Sequence, residues 1–359
     1  MCTWKVRNTM MVRRLTLLLA FVGLGVSINA CTSDTATSAL PTGTLQLHGA
    51  GATFPAPLYK KWREEYQKRH AGVVLTYDEV GSGEGTKQFL AEAVDFGASD
   101  AALSDEEMTK VTRGVQLVPV TAGSIVLAYN LDNLGGELKL KRDVYVDIFL
   151  GKIRKWDDPR IKADNPTLTL PPLDIALAVR QDSSGTTFAF TNHLSAISED
   201  WRDRGPGTSR LLDWPGNAMA ARGNEGVAGR IKVSKGAIGY VEYGFAERTG
   251  LAVAWLENKA GKFIKPYGGS GLATLLSTDM PDNLRIFFPD PEGEDSYPIV
   301  TYTWLMLYQK YDDPQKTAAL KQYVTWCLTV GQEFSESLGY VRLPPKVVAE
   351  AVDAIGHIQ

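Results

Sequence analysis

Histidine and cysteine are scarce in this chain, and their placing excludes a good deal of chemistry. The four histidines, His48, His70, His193 and His357, lie far apart and without the spacing of a metal site or of a Ser/His/Asp triad, which argues against a metalloenzyme and a serine hydrolase. Of the three cysteines, Cys327 falls in a helical pattern with Leu320, Tyr323, Val324 and Leu328 and reads as core. No Lys/Arg run is interleaved with stacking aromatics, and the net charge is -3, so no basic field exists for nucleic acid. There is no internal repeat and no coiled-coil heptad. The longest apolar run, 15–28, is shorter than the roughly 18 residues that a membrane-spanning helix needs.

What is present is a globular chain of 359 residues, 44% of them hydrophobic, long enough for a large core and about two domains. Lys5, Arg7, Arg13 and Arg14 precede the apolar run, and Asn29-Ala30-Cys31 follow it, so residues 1–30 read as an export signal. A small residue directly before Cys31 resembles the lipobox of bacterial lipoproteins, which implies acylation of Cys31 and a lipid anchor in the membrane. The alternative is plain secretion. Residues 31–43 are small and polar, without periodicity, as a tether requires. With Cys31 acylated, only Cys327 would remain and no disulfide could form.

Three Gly/Ser/Thr turns, each expected to open a helix, carry most of the functional signal. They are Gly49-Ala50-Gly51-Ala52-Thr53-Phe54-Pro55, Gly81-Ser82-Gly83-Glu84-Gly85-Thr86 and Arg180-Gln181-Asp182-Ser183-Ser184-Gly185-Thr186. Such turns leave backbone N–H groups free at the positive end of a helix, with hydroxyls beside them, and that is the recipe for holding an oxyanion. One arginine and no lysine or histidine in the turns point to a small tetrahedral anion that is bound and not transformed. Taken singly, Thr53, Ser82, Ser184 and Thr186 could each be an ordinary helix cap, and Arg180 a surface ion-pair partner. The spacing at 81–85 is GxGxG, not GxGxxG, and no turn carries a P-loop lysine, so a nucleotide is not expected.

Strand and helix alternate in the manner of an α/β protein. Strands are expected at 44–48 and 72–77, and extended apolar stretches at 118–130, 173–180, 236–241 and 298–308. Helices are expected from Pro55, with Leu58, Trp62, Tyr66 and Arg69 on one face, over 87–94, and over 314–328. The last is too short to fold alone and must return to the first part of the chain. That path gives two crossover strands, 118–123 and 297–302, and a hinge. The first two turns then belong to one lobe (44–121 and 299–359) and the third to the other (122–298). Trp62 and Trp326 read as packing, and His48, beside the first turn, as core or rim.

Five blocks, Gly49 to Pro57 (GAGATFPAP), Asp95 to Ala101 (DFGASDA), Leu150 to Asp157 (LGKIRKWD), Ser184 to Thr187 (SGTT) and Gly236 to Tyr243 (GAIGYVEY), resemble the phosphate-binding proteins of bacterial phosphate-specific ABC transporters. The resemblance runs from about Leu45 to Leu343. It implies a type II periplasmic-binding-protein fold, two α/β lobes closing on one dehydrated phosphate, in a monomer without cofactor or metal that is not an enzyme. It also implies the ligands: Thr53, the backbone N–H of Phe54, Ser82, Asp100, Arg180, Ser184, Gly185 and Thr186, with Asp182 holding the Arg180 fork. Gly83-Glu84 and Ser183 depart from the family pattern, and Glu84 is expected to face solvent. The implied function is phosphate capture outside the cytoplasmic membrane, in the periplasm or at the cell surface, and delivery to a permease and ATPase complex. The rivals are a receptor for sulfate or molybdate, and a phosphatase.

Overall fold

A computed structural model of the chain describes Met1 and residues 44–216 and 218–359. The rest of the export signal, Cys31 and the tether lie outside the described residues. The chain runs through β1 (Leu45–Gly51), the helix Ala56–Gln67, β2 (Val73–Asp78), the helix Ser82–Leu90, β3 (Phe96–Ser99), a short helix Asp105–Thr109 and the long β4 (Val115–Tyr129). Its middle adds β5 (Lys139–Leu140), β6 (Ala176–Arg180), the helix Gly185–Ile197, β7 (Met219–Ala221), the helix Gly223–Val233 and β8 (Ala237–Glu242). After β9 (Ala252–Val253), β10 (Trp255–Glu257) and β11 (Phe263–Ile264) come β12 (Val300–Tyr308) and the helix Pro314–Leu328.

Nine strands form one sheet in the order β2-β1-β3-β12-β4-β8-β6-β7, with β9 against β4, and β11-β10-β5 form a small second sheet. Pairing is parallel among β2, β1 and β3 and among β8, β6 and β7, whereas β12 and β4 run antiparallel to their neighbours. Every residue of β12 is buried, which is why VTYTWLMLY is a nearly continuous apolar run and not an alternating one. β4 changes partner along its length, pairing with β12 over Val115–Ser124 and with β8 over Ile125–Tyr129. Pro119 in that strand can donate no ladder bond, and the register with β12 shifts beside it, between Thr303 and Trp304.

Several boundaries differ from the sequence reading. The second helix begins at Ser82 and not at 87, because Gly83 and Gly85 are helical residues. Gly85 is small to let the helix approach β1: a Cβ there would lie 2.2 Å from Gly51 Cα. It ends at Leu90, and Glu92 follows in the left-handed region at φ 54°. The stretch 173–175 is not part of β6, since the Ile175 N–H donates to Arg154 O (2.8 Å) and Leu173 O accepts from Trp156 (2.9 Å). Arg69 falls beyond the first helix, whose Leu58, Trp62 and Tyr66 are buried as expected. Cys327 is buried, and Trp326 and Tyr323 meet Tyr66 edge-on, docking the 314–328 helix on the N-terminal part of the chain.

Candidate functional site

Strand ends and helix starts meet at one place in this sheet. β1 ends at Gly51, and the Gly81 N–H donates to Gly51 O (2.9 Å), so the first two turns lie against each other. Phe54, fully buried, is fixed by the Tyr340 hydroxyl donating to its carbonyl (2.7 Å). Ser82 is the first residue of its helix and its Oγ accepts from the Asp100 N–H at 3.4 Å. Asp100 follows β3, and the Thr303 hydroxyl on β12 donates to its Oδ1 (2.6 Å).

From the other side of β4 and β12 comes the Arg180 turn. Arg180 ends β6, donates from Nε to Asp182 Oδ1 (2.8 Å), pairs through Nη2 with Oδ2, and leaves Nη1 facing Thr186 Oγ1 (3.4 Å). Asp182 is itself held by the Gly223 N–H (3.0 Å). Ser184 caps the helix Gly185–Ile197, its Oγ accepting from the Thr187 N–H (3.1 Å). A Cβ on Gly185 would lie 2.6 Å from Ser82 Oγ and 2.7 Å from Asp100 Cβ, so only glycine lets this helix start touch the opposite edge. The Thr186 hydroxyl reaches Asp100 Oδ2 at 3.4 Å.

All eight residues named from the sequence, and Asp182, thus gather at one site, with Ser82, Asp100, Arg180, Ser184 and Thr186 at most 3% exposed. Two further residues belong to it. Asn224 donates from Nδ2 to Thr53 Oγ1 (3.2 Å) and Thr186 Oγ1 (3.1 Å), and Thr303 holds Asp100. Only Asn224 had a faint signal. Arg222-Gly223-Asn224-Glu225-Gly226 is a fourth glycine turn opening a helix, whereas Thr303 is one of two threonines in a buried, mostly apolar strand, with nothing in the sequence to set it apart from Thr301. Glu84 lies half-exposed beside Lys87, as expected, and His48 is partly exposed, its Nε2 2.8 Å from Asp78 Oδ2.

The electrostatics are those of an anion site with one acceptor. Helices start at Ser82, Gly185 and Gly223, and their first N–H groups have no partner within the helix. Arg180 adds a fork whose orientation Asp182 fixes. Burial pushes the Asp100 carboxyl up to about 7, against the pull of Thr303, Arg180 and Thr186. Asp182 is also buried, but Arg180 outweighs that and holds it below the usual carboxylate range. Ser184 sits at a helix start, and the buried His193 is bonded to Tyr145 (2.7 Å) and Pro289 O (2.7 Å). Among the described residues no group of three or more His, Cys, Asp or Glu side chains is placed to hold a metal.

The sheet order, and the two sets of turns facing each other across β4 and β12, define a substrate-binding protein of the type II periplasmic class. Comparison with known proteins agrees. The PBP superfamily domain matches residues 35–330. Phosphate-binding protein PstS of Haemophilus influenzae is 39% identical over 306 residues, covering 84% of this chain and 90% of that one. PstS of Pasteurella multocida is 36% identical over 315 residues, covering 87% and 90%. A high-affinity periplasmic phosphate-binding protein solved with phosphate bound shares the fold at a TM-score of 0.72 and 22% identity, covering 85% of this chain and 92% of the other. The chain belongs to the PstS family of phosphate-binding proteins.

Proposed function

We propose that this protein binds one inorganic phosphate at the site described and hands it to the permease of an ABC transporter. The observation that carries this reading is the inventory of the site: hydroxyls, helix-start N–H groups and a guanidinium, all able to donate, around a single unpaired-with-cation acceptor, Asp100. A carboxylate accepts only, so it repels a fully ionised oxyanion and suits one that still carries a proton. Phosphate groups have a second pKa of about 6 in monoesters, and phosphate near neutral pH keeps at least one proton, whereas sulfate keeps none. Sulfate or molybdate is therefore the poorer fit. The ligands are Thr53, the Phe54 N–H, Ser82, Asp100, Arg180, Ser184, Gly185 and Thr186.

The lobes are 44–121 with 299–359, and 122–298, and they hinge where β4 and β12 lie side by side, Ala122 opposite Tyr302 and Gly123 opposite Thr301. The protein works as a monomer in the periplasm or at the cell surface, tethered through acylated Cys31, and performs no chemistry on its ligand. Calorimetric titration with inorganic phosphate, alongside a phosphomonoester turnover assay, tests the core of this. One phosphate per chain and no turnover is the expected result; turnover would make the site an enzyme's. Cys31→Ser should move the protein from the membrane fraction to the soluble one, and unchanged partition would overturn the anchor.

A further inference from the structure

The hydrogen bonds around Asn224 point to a role for it that the ligand set above does not include. Its side chain is fully buried, and Oδ1 accepts from the Glu242 N–H (2.9 Å), which settles that the amide NH₂ faces the site. From there the Asn224 backbone N–H and Nδ2 both donate to Thr53 Oγ1, each at 3.2 Å. A threonine hydroxyl has two lone pairs and one proton, so with both lone pairs engaged Thr53 can act only as a donor. Thr186 is treated alike: its Oγ1 accepts from Asn224 Nδ2 (3.1 Å) and Arg180 Nη1 (3.4 Å), and its proton is left for Asp100 or an anion. Asn224 is also the bridge between edges, since Thr53 follows β1 whereas Asn224 and Thr186 lie on the side of β6 and β8.

We infer that Asn224 is a positioning residue for anion binding: it holds Thr53 and Thr186 as obligate donors and makes their alignment depend on the two edges coming together. This rests on the phosphate reading. A hydroxyl free to rotate would offer a lone pair to the anion part of the time; a hydroxyl whose lone pairs are taken cannot.

The test is a double-mutant cycle on phosphate affinity, read by calorimetry. Asn224→Asp keeps an acceptor for the Glu242 N–H but removes the amide donors, and should weaken inorganic phosphate binding by about tenfold to a hundredfold. Asn224→Ala and Thr53→Val should each weaken it by about tenfold, and the double variant should lose clearly less than the product of the two, because the Thr53 share is common to both while the Thr186 share belongs to Asn224 alone. Thr53→Ser, which keeps the hydroxyl, should restore most of the affinity. Additive losses, or Asn224 variants that bind phosphate as the parent does, overturn the inference while leaving the phosphate reading intact. A parent protein that does not bind phosphate removes both.

Discussion

Asp182 and Asp100 reach the site from opposite edges and hold their protons very differently. Asp182 engages Arg180 through both oxygens, accepts from the Gly223 N–H, and is held below the usual carboxylate range although it is buried. Asp100 has only hydroxyls within hydrogen-bond reach of its carboxylate, and burial pushes it up to about 7. The contrast teaches what each is for. One carboxylate gives its charge to the arginine and fixes a fork; the other, bonded only to hydroxyls, keeps lone pairs that no cation takes.

The largest expected effect comes from breaking the Asp182 side. Asp182→Ala leaves Arg180 buried without its counter-ion, and should cost about 3–5 kcal/mol of stability in phosphate-free buffer. Urea unfolding with and without phosphate checks it, and added phosphate should restore part of the loss. Next is Arg180→Lys, which keeps the charge and loses the planar fork. Phosphate binding should weaken by on the order of 1.5–3 kcal/mol, roughly tenfold to a hundredfold. Unchanged affinity by calorimetry would place Arg180 outside the site.

The Asp100 side is sharpened by pH. A carboxyl whose folded pKa lies above its unfolded value binds more protons in the folded state, so its contribution to stability is full below about pH 4 and is lost as pH rises through about 7. Glu242, pushed up to about 8 by burial, acts in the same direction, and Asp182 in the opposite one at low pH. Asp100→Asn should therefore flatten the fall in phosphate-free stability between pH 5 and pH 8 by on the order of 2 kcal/mol, with the Glu242 share remaining. An identical slope would contradict the assignment. The same variant, whose amide can donate, should gain measurable sulfate binding.

The smallest effect is expected at the rim. Arg210, which follows the helix Gly185–Ile197, reaches across to Glu107 on the β3 side (2.9 Å) and to Ala101 O (3.2 Å), with both side chains about three-quarters buried. Arg210→Met should speed phosphate release by a factor corresponding to about 1 kcal/mol or less. Stopped-flow release measurements check it, and a larger loss would mean that the rim and not the buried pair sets affinity.

Much of the site was legible because its groups sit in turns of unusual composition. Gly/Ser/Thr runs that open helices stand out in a sequence, and the Arg180 and Ser184 turn showed both its cation and its cap. Asn224 and Thr303 were not legible for opposite reasons. Asn224 lies in a turn of the same kind, but without Ser or Thr it offered no hydroxyl to notice. Thr303 is a strand residue whose partner, Asp100, lies 203 positions away, a pairing that only the order β3-β12-β4 creates. The helix start read at 87 and found at 82 has a similar origin. Glycine was read there as a sign of a turn, when Gly85 is small because β1 passes against it.

A carboxylate acceptor among donors should select an anion that carries a proton. The most direct measurement is titration of phosphate-stripped protein with phosphate and with sulfate at pH 8, where Asp100, at about 7, is ionised. One phosphate bound per chain and no competition from a large excess of sulfate is the expected result. Sulfate binding as tight as phosphate binding would contradict both the role given to Asp100 and the phosphate assignment.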